Sequence, residues 1–201
     1  MPARKLNLDD IADLRAYERE RAAFRESVIA LKKRRRIAVG PIVTVMFENR
    51  DTIRFQIQEM ARAEKILTDE GIQHELDTYN PLIPEPGQLS ATLFIELTSK
   101  ESLEEWLPKL VGIERSVELV IGEGPGSIVA PCIPEAAHED QLTRPDVTAS
   151  VHYIRWELTP DKVAAFATAR SVVLAVNHEN YMEGVTLSDE NRQELVADLQ
   201  P

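Results

Sequence analysis

The sequence predicts an α+β fold: antiparallel or mixed sheet, with a long N-terminal helix and several packed helices in a single compact domain. Two observations point there. Runs of period two and runs of helical period are intermixed along the chain, and several neighbouring strand-like runs are joined by connections too short to hold a crossover helix. The 201 residues, 43% hydrophobic and 28% charged, suffice to bury a core without disulfides or a structural metal.

Taken in order, a first helix is expected over residues 11–35. Leu14, Tyr17, Arg21, Phe24, Val28 and Leu31 follow steps of three and four, a heptad-like seam interrupted by Arg21. It suits a helix packed on the body, with a homodimer seam as the alternative. Gly40 and Pro41 then bend the chain between β-rich runs at 37–39 and 42–47. Asn49 and Asp51 offer N-caps for a second helix from about Thr52, and Ile53, Ile57, Met60 and Leu67 recur at helical spacing as its core-facing stripe.

A short helix over 72–79 should stop at Asn80 and Pro81, because proline disfavours helical geometry in the residue before it. Pro84, Pro86 and Gly87 make a loop. A strand over 89–97, a helix over 100–110 containing Trp106 and a strand over 116–121 follow. Gly122, Gly124 and Gly126 invite a phosphate-loop reading, but no helix-forming run follows and the dinucleotide spacing is absent, so a hairpin turn is the expectation. Residues 131–146 read as an exposed proline-rich, acidic loop. Beyond it come a β-rich run over 147–158, a helix over 160–170, strands at 172–176 and 184–187, and a closing helix over 188–199 where Ser188 and Asn191 make half a capping box.

Charge is distributed unevenly. Residues 1–36 carry 11 Lys and Arg against 6 Asp and Glu, a net of +5, while residues 37–201 carry 12 against 28, a net of −16, giving −11 for the chain. A basic N-terminal helix packed on an acidic body is expected. The acidic body makes general nucleic-acid binding a poor expectation, since that affinity rests on clustered positive charge. Lys32, Lys33, Arg34, Arg35 and Arg36 are the exception. Five cations at a helix end complement its dipole or dock onto the acidic body; the alternatives are an anionic partner or RNA. Cys132 is the single cysteine, so the chain forms no internal disulfide and no cysteine-rich zinc or iron-sulfur site of its own. No apolar run approaches the roughly 18 residues that a membrane span requires, and a cytoplasmic protein is expected.

The stretch FENRDTIRFQIQEMARAE, residues 47–64, crowds charged and amide side chains around one apolar stripe. Arg54, Gln58 and Arg62 stand in a row four residues apart, and Glu59 can pair with Arg62. Together with Glu48 and Arg50 they form either an ion-pair network that fixes architecture or a ligand or contact surface. The same stretch, followed by ELDTYNPLIP, SATLFIEL and VHYIRWELTP, resembles the bacterial domain-of-unknown-function family 3501 over essentially the whole chain. That resemblance carries no activity. It implies, through gene neighbourhood alone, rubrerythrin-like and iron-sulfur heterodisulfide-reductase-like partners and a place near redox or peroxide-defence chemistry.

Of the histidines, His138 follows Glu135 at the spacing used in di-iron bundles, but only once and beside prolines, which reads as coincidence. His152 and His178 fall on strand-like runs. With a carboxylate from Glu48, Glu59 or Glu157 they would make a two-histidine, one-carboxylate set for a divalent metal; the bland reading is two separately hydrogen-bonded rings. Nucleophile-elbow, phosphate-loop, zincin and redox-cysteine motifs are absent, and Cys132 between prolines reads as an ordinary thiol. The expected function is therefore a non-catalytic accessory or interaction protein. A metal-dependent or small-ligand enzyme on His152, His178 and Glu59 is the first alternative, and binding of RNA or an anionic partner through residues 32–36 the second.

Overall fold

Arg36–Val39 (β1) and Val43–Glu48 (β2) form an antiparallel hairpin. Its turn needs a glycine. Gly40 has φ +71°, and a Cβ there would stand 2.5 Å from the Tyr181 hydroxyl oxygen. Gln88–Ile95 (β3) pairs with β2, and Val151–Glu157 (β7) with β3, so that Phe47 lies opposite Ala91 and Leu93 opposite His152. The short Ile133–Pro134 (β6) closes this sheet in the order β1-β2-β3-β7-β6. A second antiparallel sheet has the order β5-β4-β8-β9, built from Val117–Ile121 (β4), Ile128–Pro131 (β5), Val172–His178 (β8) and Tyr181–Thr186 (β9). These elements belong to a computed structural model that describes residues 4–135 and 145–200.

The two sheets share one core. All six residues of β2 are buried, because both faces of the sheet are covered. Val43, Val45 and Phe47 join the large cluster with Leu119, Leu174 and Trp156, and the alternate residues Thr44, Met46 and Glu48 project to the opposite face. The sheets are also stitched at both margins. On one side the extended chain leaves β5, passes through Cys132, whose amide donates to Val117 O at 2.8 Å, and enters β6. On the other side the Tyr181 hydroxyl donates to Val39 O at 2.7 Å and accepts from the Ile42 amide at 3.3 Å.

Helices cover the rest. Leu14–Arg35 (α1), Arg50–Glu64 (α2) and Asp69–Tyr79 (α3) gather over the first sheet, where Leu6, Ile53, Ile57, Leu76, Leu82 and Ile83 form a second apolar cluster with Tyr153 packed against it. Lys100–Trp106 (α4) follows β3. Pro160–Thr168 (α5) and Asp189–Leu199 (α6) contribute Phe166, Leu195 and Leu199 to the large core. Antiparallel sheets with packed helices make the fold class α+β, as expected, and the glycines at 122–126 turn the β4-β5 hairpin.

Several boundaries differ from the sequence reading. The first helix does not start at residue 11: Leu8–Asp10 is a separate 3₁₀ turn, and α1 begins after Asp13, whose carboxylate accepts from the amides of Arg15 and Ala16. α2 starts two residues early because Asn49 caps it in a box with Thr52. Leu67 is not on its apolar stripe. Lys65 takes a left-handed conformation, φ 56°, which ends α2 at Glu64 and places Leu67 in the turn to α3.

One side chain ties the layers together. Arg35, at the end of α1, is 0% exposed. Its Nε donates to Phe47 O at 3.0 Å and Nη2 to Glu48 O at 3.2 Å, while Nη1 meets Glu194 at 3.0 Å and Nη2 pairs with Asp198. A guanidinium with no access to water is tolerable only with its donors matched in this way. Breaking one partner of such a buried set leaves carboxylates and carbonyls stranded. Arg35→Met is expected to cost about 3 to 5 kcal/mol in urea unfolding, whereas Arg36→Met, on the exposed neighbouring cation, should cost less than about 1 kcal/mol.

Candidate functional site

The polar face of α2 is the natural place to look for a site, since the sequence concentrates its charged and amide residues there. Its row at four-residue spacing points toward the N-terminal segment and α1. Arg50 Nη2 meets Asp10 Oδ1 at 2.5 Å, and Arg54 Nε donates to Asp10 O at 2.8 Å while its guanidinium stacks 5.1 Å over the Phe24 ring. Gln58, fully buried, holds both backbone groups of Ala12: its Oε1 accepts from the amide at 2.7 Å and its Nε2 donates to the carbonyl at 3.2 Å. Arg62 pairs with Glu18.

Glu59 is the centre of this face. The Arg21 guanidinium grips it in a two-pronged contact, Nε to Oε1 and Nη2 to Oε2, both at 2.8 Å, and the Tyr17 hydroxyl donates to Oε1 at 2.7 Å. Arg21 first, and Tyr17 after it, hold the Glu59 carboxyl down to about 2 from its ordinary 4.5, against the opposing effect of burial. Burial and the same contact push the Tyr17 hydroxyl well above its usual range. Arg21, which interrupts the apolar seam of α1, thus helps bind α1 to α2. That seam faces α2.

Glu48 sits beneath the α2 N-terminus at 4% exposure. Its carboxylate accepts from the hydroxyls of Thr52 at 2.5 Å and Thr92 at 2.7 Å, one from the helix and one from β3. Two neutral hydroxyls satisfy its oxygens and fix the helix on the sheet.

The histidines do not join this group. His152 lies on β7 of the first sheet, with Nε2 2.8 Å from Thr148 Oγ1 and 2.9 Å from Ala149 O. His178 ends β8 of the second sheet; Nε2 donates to Val111 O at 3.0 Å, and Nδ1 accepts from the Asn180 amide at 3.2 Å. Both nitrogens of His178 are therefore engaged, and the lone pair a metal would use is taken. Glu157 pairs with Arg155 on its own strand. The expected set of His152, His178 and Glu59 is not assembled, and no group of three or more His, Cys, Asp or Glu side chains is placed to hold a metal among the described residues. His138, the second half of the Glu135 pair, lies outside the described residues.

The basic run at the end of α1 is also absorbed. Lys32 lies 5.6 Å over the Phe55 ring, Arg34 meets Glu194 at 2.9 Å, Arg35 is buried, and Arg36 pairs with Glu96 and covers Phe94. Lys33 points to the exposed side. Cys132 is buried, its thiol directed at Glu114 O at 3.2 Å, and burial pushes it up to about 12, so it has little thiolate to offer as a nucleophile.

One open place is a corner where the 3₁₀ turn, α1 and α3 meet. Leu67 stands 80% exposed there. Beside it is a hollow of about 140 Å³ floored by Ile11, Ile66 and Ile72, and next to that a wider hollow of about 460 Å³ bordered by Asp69, Glu70, His74 and Asp77; Leu8 and Asp69 belong to both. Sequence reasoning missed this corner, because Lys65 in a left-handed turn is not a recognisable helix stop where glycine is the usual signal.

Residues 5–199 match the profile of a family described as "Protein of unknown function (DUF3501)". No curated protein matches. A crystal structure of a novel protein of unknown function from Burkholderia pseudomallei K96243, at 1.90 Å resolution, is 34% identical, covers 98% of this chain and 100% of its own, and superposes with a TM-score of 0.87.

A carboxylate held near 2 in the fold and near 4.5 when unfolded stabilises the protein fully above 4.5 and progressively less as pH falls toward 2. Glu59→Gln is accordingly expected to lose about 1 to 3 kcal/mol at neutral pH, the worth of a charged hydrogen bond, and the gap from wild type should close between pH 4.5 and about 2. Denaturant unfolding across that pH range measures it.

Proposed function

The chain belongs to the DUF3501 family, and from that premise we propose that it is a non-catalytic accessory or interaction protein that works beside a redox or peroxide-defence system. One observation carries the interaction reading: Leu67, 80% exposed, stands beside Asp69 and Glu70 at a hollow floored by Ile11, Ile66 and Ile72. A large aliphatic side chain held in water at a turn is a normal surface feature singly, but beside a hollow and an acidic rim it is a contact point. The rim and the chain's net charge of −11 favour a partner surface that is basic with an apolar centre. The redox placement rests on the gene neighbourhood that the family resemblance implies, which makes rubrerythrin-like or iron-sulfur heterodisulfide-reductase-like proteins the partners to test.

The catalytic alternatives have less support. Glu59 and His178 have their bonding groups engaged within the fold, and His152 has its Nε2 engaged; four of the five cations at residues 32–36 contact neighbouring side chains or backbone. A contact surface asks nothing of them.

Binding of the purified protein to a rubrerythrin-like and to a heterodisulfide-reductase-like protein, measured calorimetrically, is the test. Wild type is expected to bind one of them with an affinity that falls as salt is raised, and Leu67→Ser to weaken it tenfold or more while changing stability by no more than about 0.5 kcal/mol. Absence of binding to either protein, or identical binding by Leu67→Ser, contradicts the reading. Metal analysis of untagged protein addresses the alternative: less than about a tenth of an equivalent of iron, zinc or manganese is expected, and a near-stoichiometric metal would restore the enzyme reading.

A further inference from the structure

A second open feature lies elsewhere, between the last two helices, and shares no lining residue with the Leu67 corner. α5 presents Pro160, Val163, Ala164 and Ala167 at the spacing of one helix face, and α6 presents Val196 and Leu199. Between them is a hollow of about 460 Å³, floored by Leu158 and by the Pro86-Gly87 turn. The floor is thin because of Gly87: its φ is +78°, its carbonyl accepts from the Leu158 amide at 2.8 Å, its amide donates to Leu199 O at 3.1 Å, and a Cβ there would stand 3.0 Å from Leu158 O. The walls stay apart because the side chains that α5 exposes at 164 and 167, on this face, are alanines.

The hollow does not end at Ala167. A second one, about 290 Å³, shares Ala167 and Val196 with it and is bordered by Arg192, Gln193 and Asp189. Arg192 is fixed in place: Nη2 donates to Phe166 O at 3.3 Å and Ala167 O at 3.2 Å, at the C-terminal end of α5. Its Nε is buried and has no hydrogen-bond partner among the described residues, and no carboxylate pairs with its guanidinium there. Asp189, the one acidic side chain of this hollow, is exposed on the first turn of α6.

The groove thus has an apolar end and a cationic end. From Pro160 to Ala167 it runs about 10 Å along α5 at the rise of a helix. Its volume lies within the range of small-molecule sites, which pair an apolar lining with a few placed polar groups. The geometry points to a binding site for an unbranched aliphatic monocarboxylate of medium chain length, its chain along Val163, Ala164, Ala167 and Val196 and its carboxylate at Arg192. Burial of the chain supplies the affinity and the guanidinium supplies the choice of head group, because a charge-assisted contact to carboxylate is stronger than one to a hydroxyl. This inference goes beyond the accessory role and stands independently of it.

Decanoate and 1-decanol, which share a chain and differ in head group, test the site by calorimetric titration of the full-length protein. Decanoate is expected to bind with saturation at one equivalent and at least tenfold more tightly than 1-decanol. Arg192→Gln should remove that preference and Arg192→Lys restore part of it, while Ala164→Trp, which fills the groove from an exposed helix position, should abolish binding of both. Ala167→Phe serves the same purpose if the tryptophan variant does not fold. No saturable decanoate binding, binding unaffected by the filling variants, or equal affinity for the two ligands would overturn the inference.

Discussion

A guanidinium with no contact with water sits where three parts of this molecule meet. Arg35 closes α1, which buries only two other residues, Tyr17 and Val28. A helix with so little apolar surface in the core depends on specific contacts for its position. Arg35 provides them at one end by holding the carbonyls of Phe47 and Glu48 on β2 and the carboxylates of Glu194 and Asp198 on α6. Burial works against Asp198 and raises its carboxyl, while Arg35 pulls it down; burial opposes Glu194 as well, but Arg34 and Arg35 together hold that carboxyl below its ordinary value. Removing any one partner leaves a charge in a place that cannot hydrate it. Position follows from that constraint: α6 is set against the end of β2, and Leu199 with it against Gly87.

The other end of α1 is held by the same kind of chemistry in a less buried place. Arg21 and Tyr17 converge on Glu59, and Gln58 closes on the backbone of Ala12. α2 therefore serves two layers, its apolar stripe packing into the cluster over the sheet and its polar row holding the N-terminal chain. Its wealth of charge is engaged in fastening. Side chains remain open to solvent at Leu67 with its acidic rim and in the groove between α5 and α6.

The α+β class and most elements were legible because each rests on local rules: period-two runs for the strands, capping by Asn49 and Ser188, proline after Asn80. The two-sheet arrangement was not. Which strand neighbours which depends on the passage through Cys132 and on Tyr181 reaching Val39, contacts between residues distant in sequence. The same holds for the site. Glu59 and Arg62 were visible as a charged pair on one helix, yet each meets a partner on α1 instead, Arg21 and Glu18. His152 and His178 looked like neighbours because both lie on strands, but sequence does not say that the strands belong to different sheets. Arg35 was legible only as one cation among five, since its burial is decided by α6, some 160 residues further along.

If Arg35 is the joint between α1 and α6, its energy must be shared with the carboxylate it meets. A double-mutant cycle of Arg35→Met and Asp198→Leu, followed by urea unfolding at neutral pH, measures that sharing directly. A coupling of roughly 2 kcal/mol or more is predicted, toward the upper part of the range for residues in contact. Additivity to within about 0.5 kcal/mol, as for independent sites, would contradict the account.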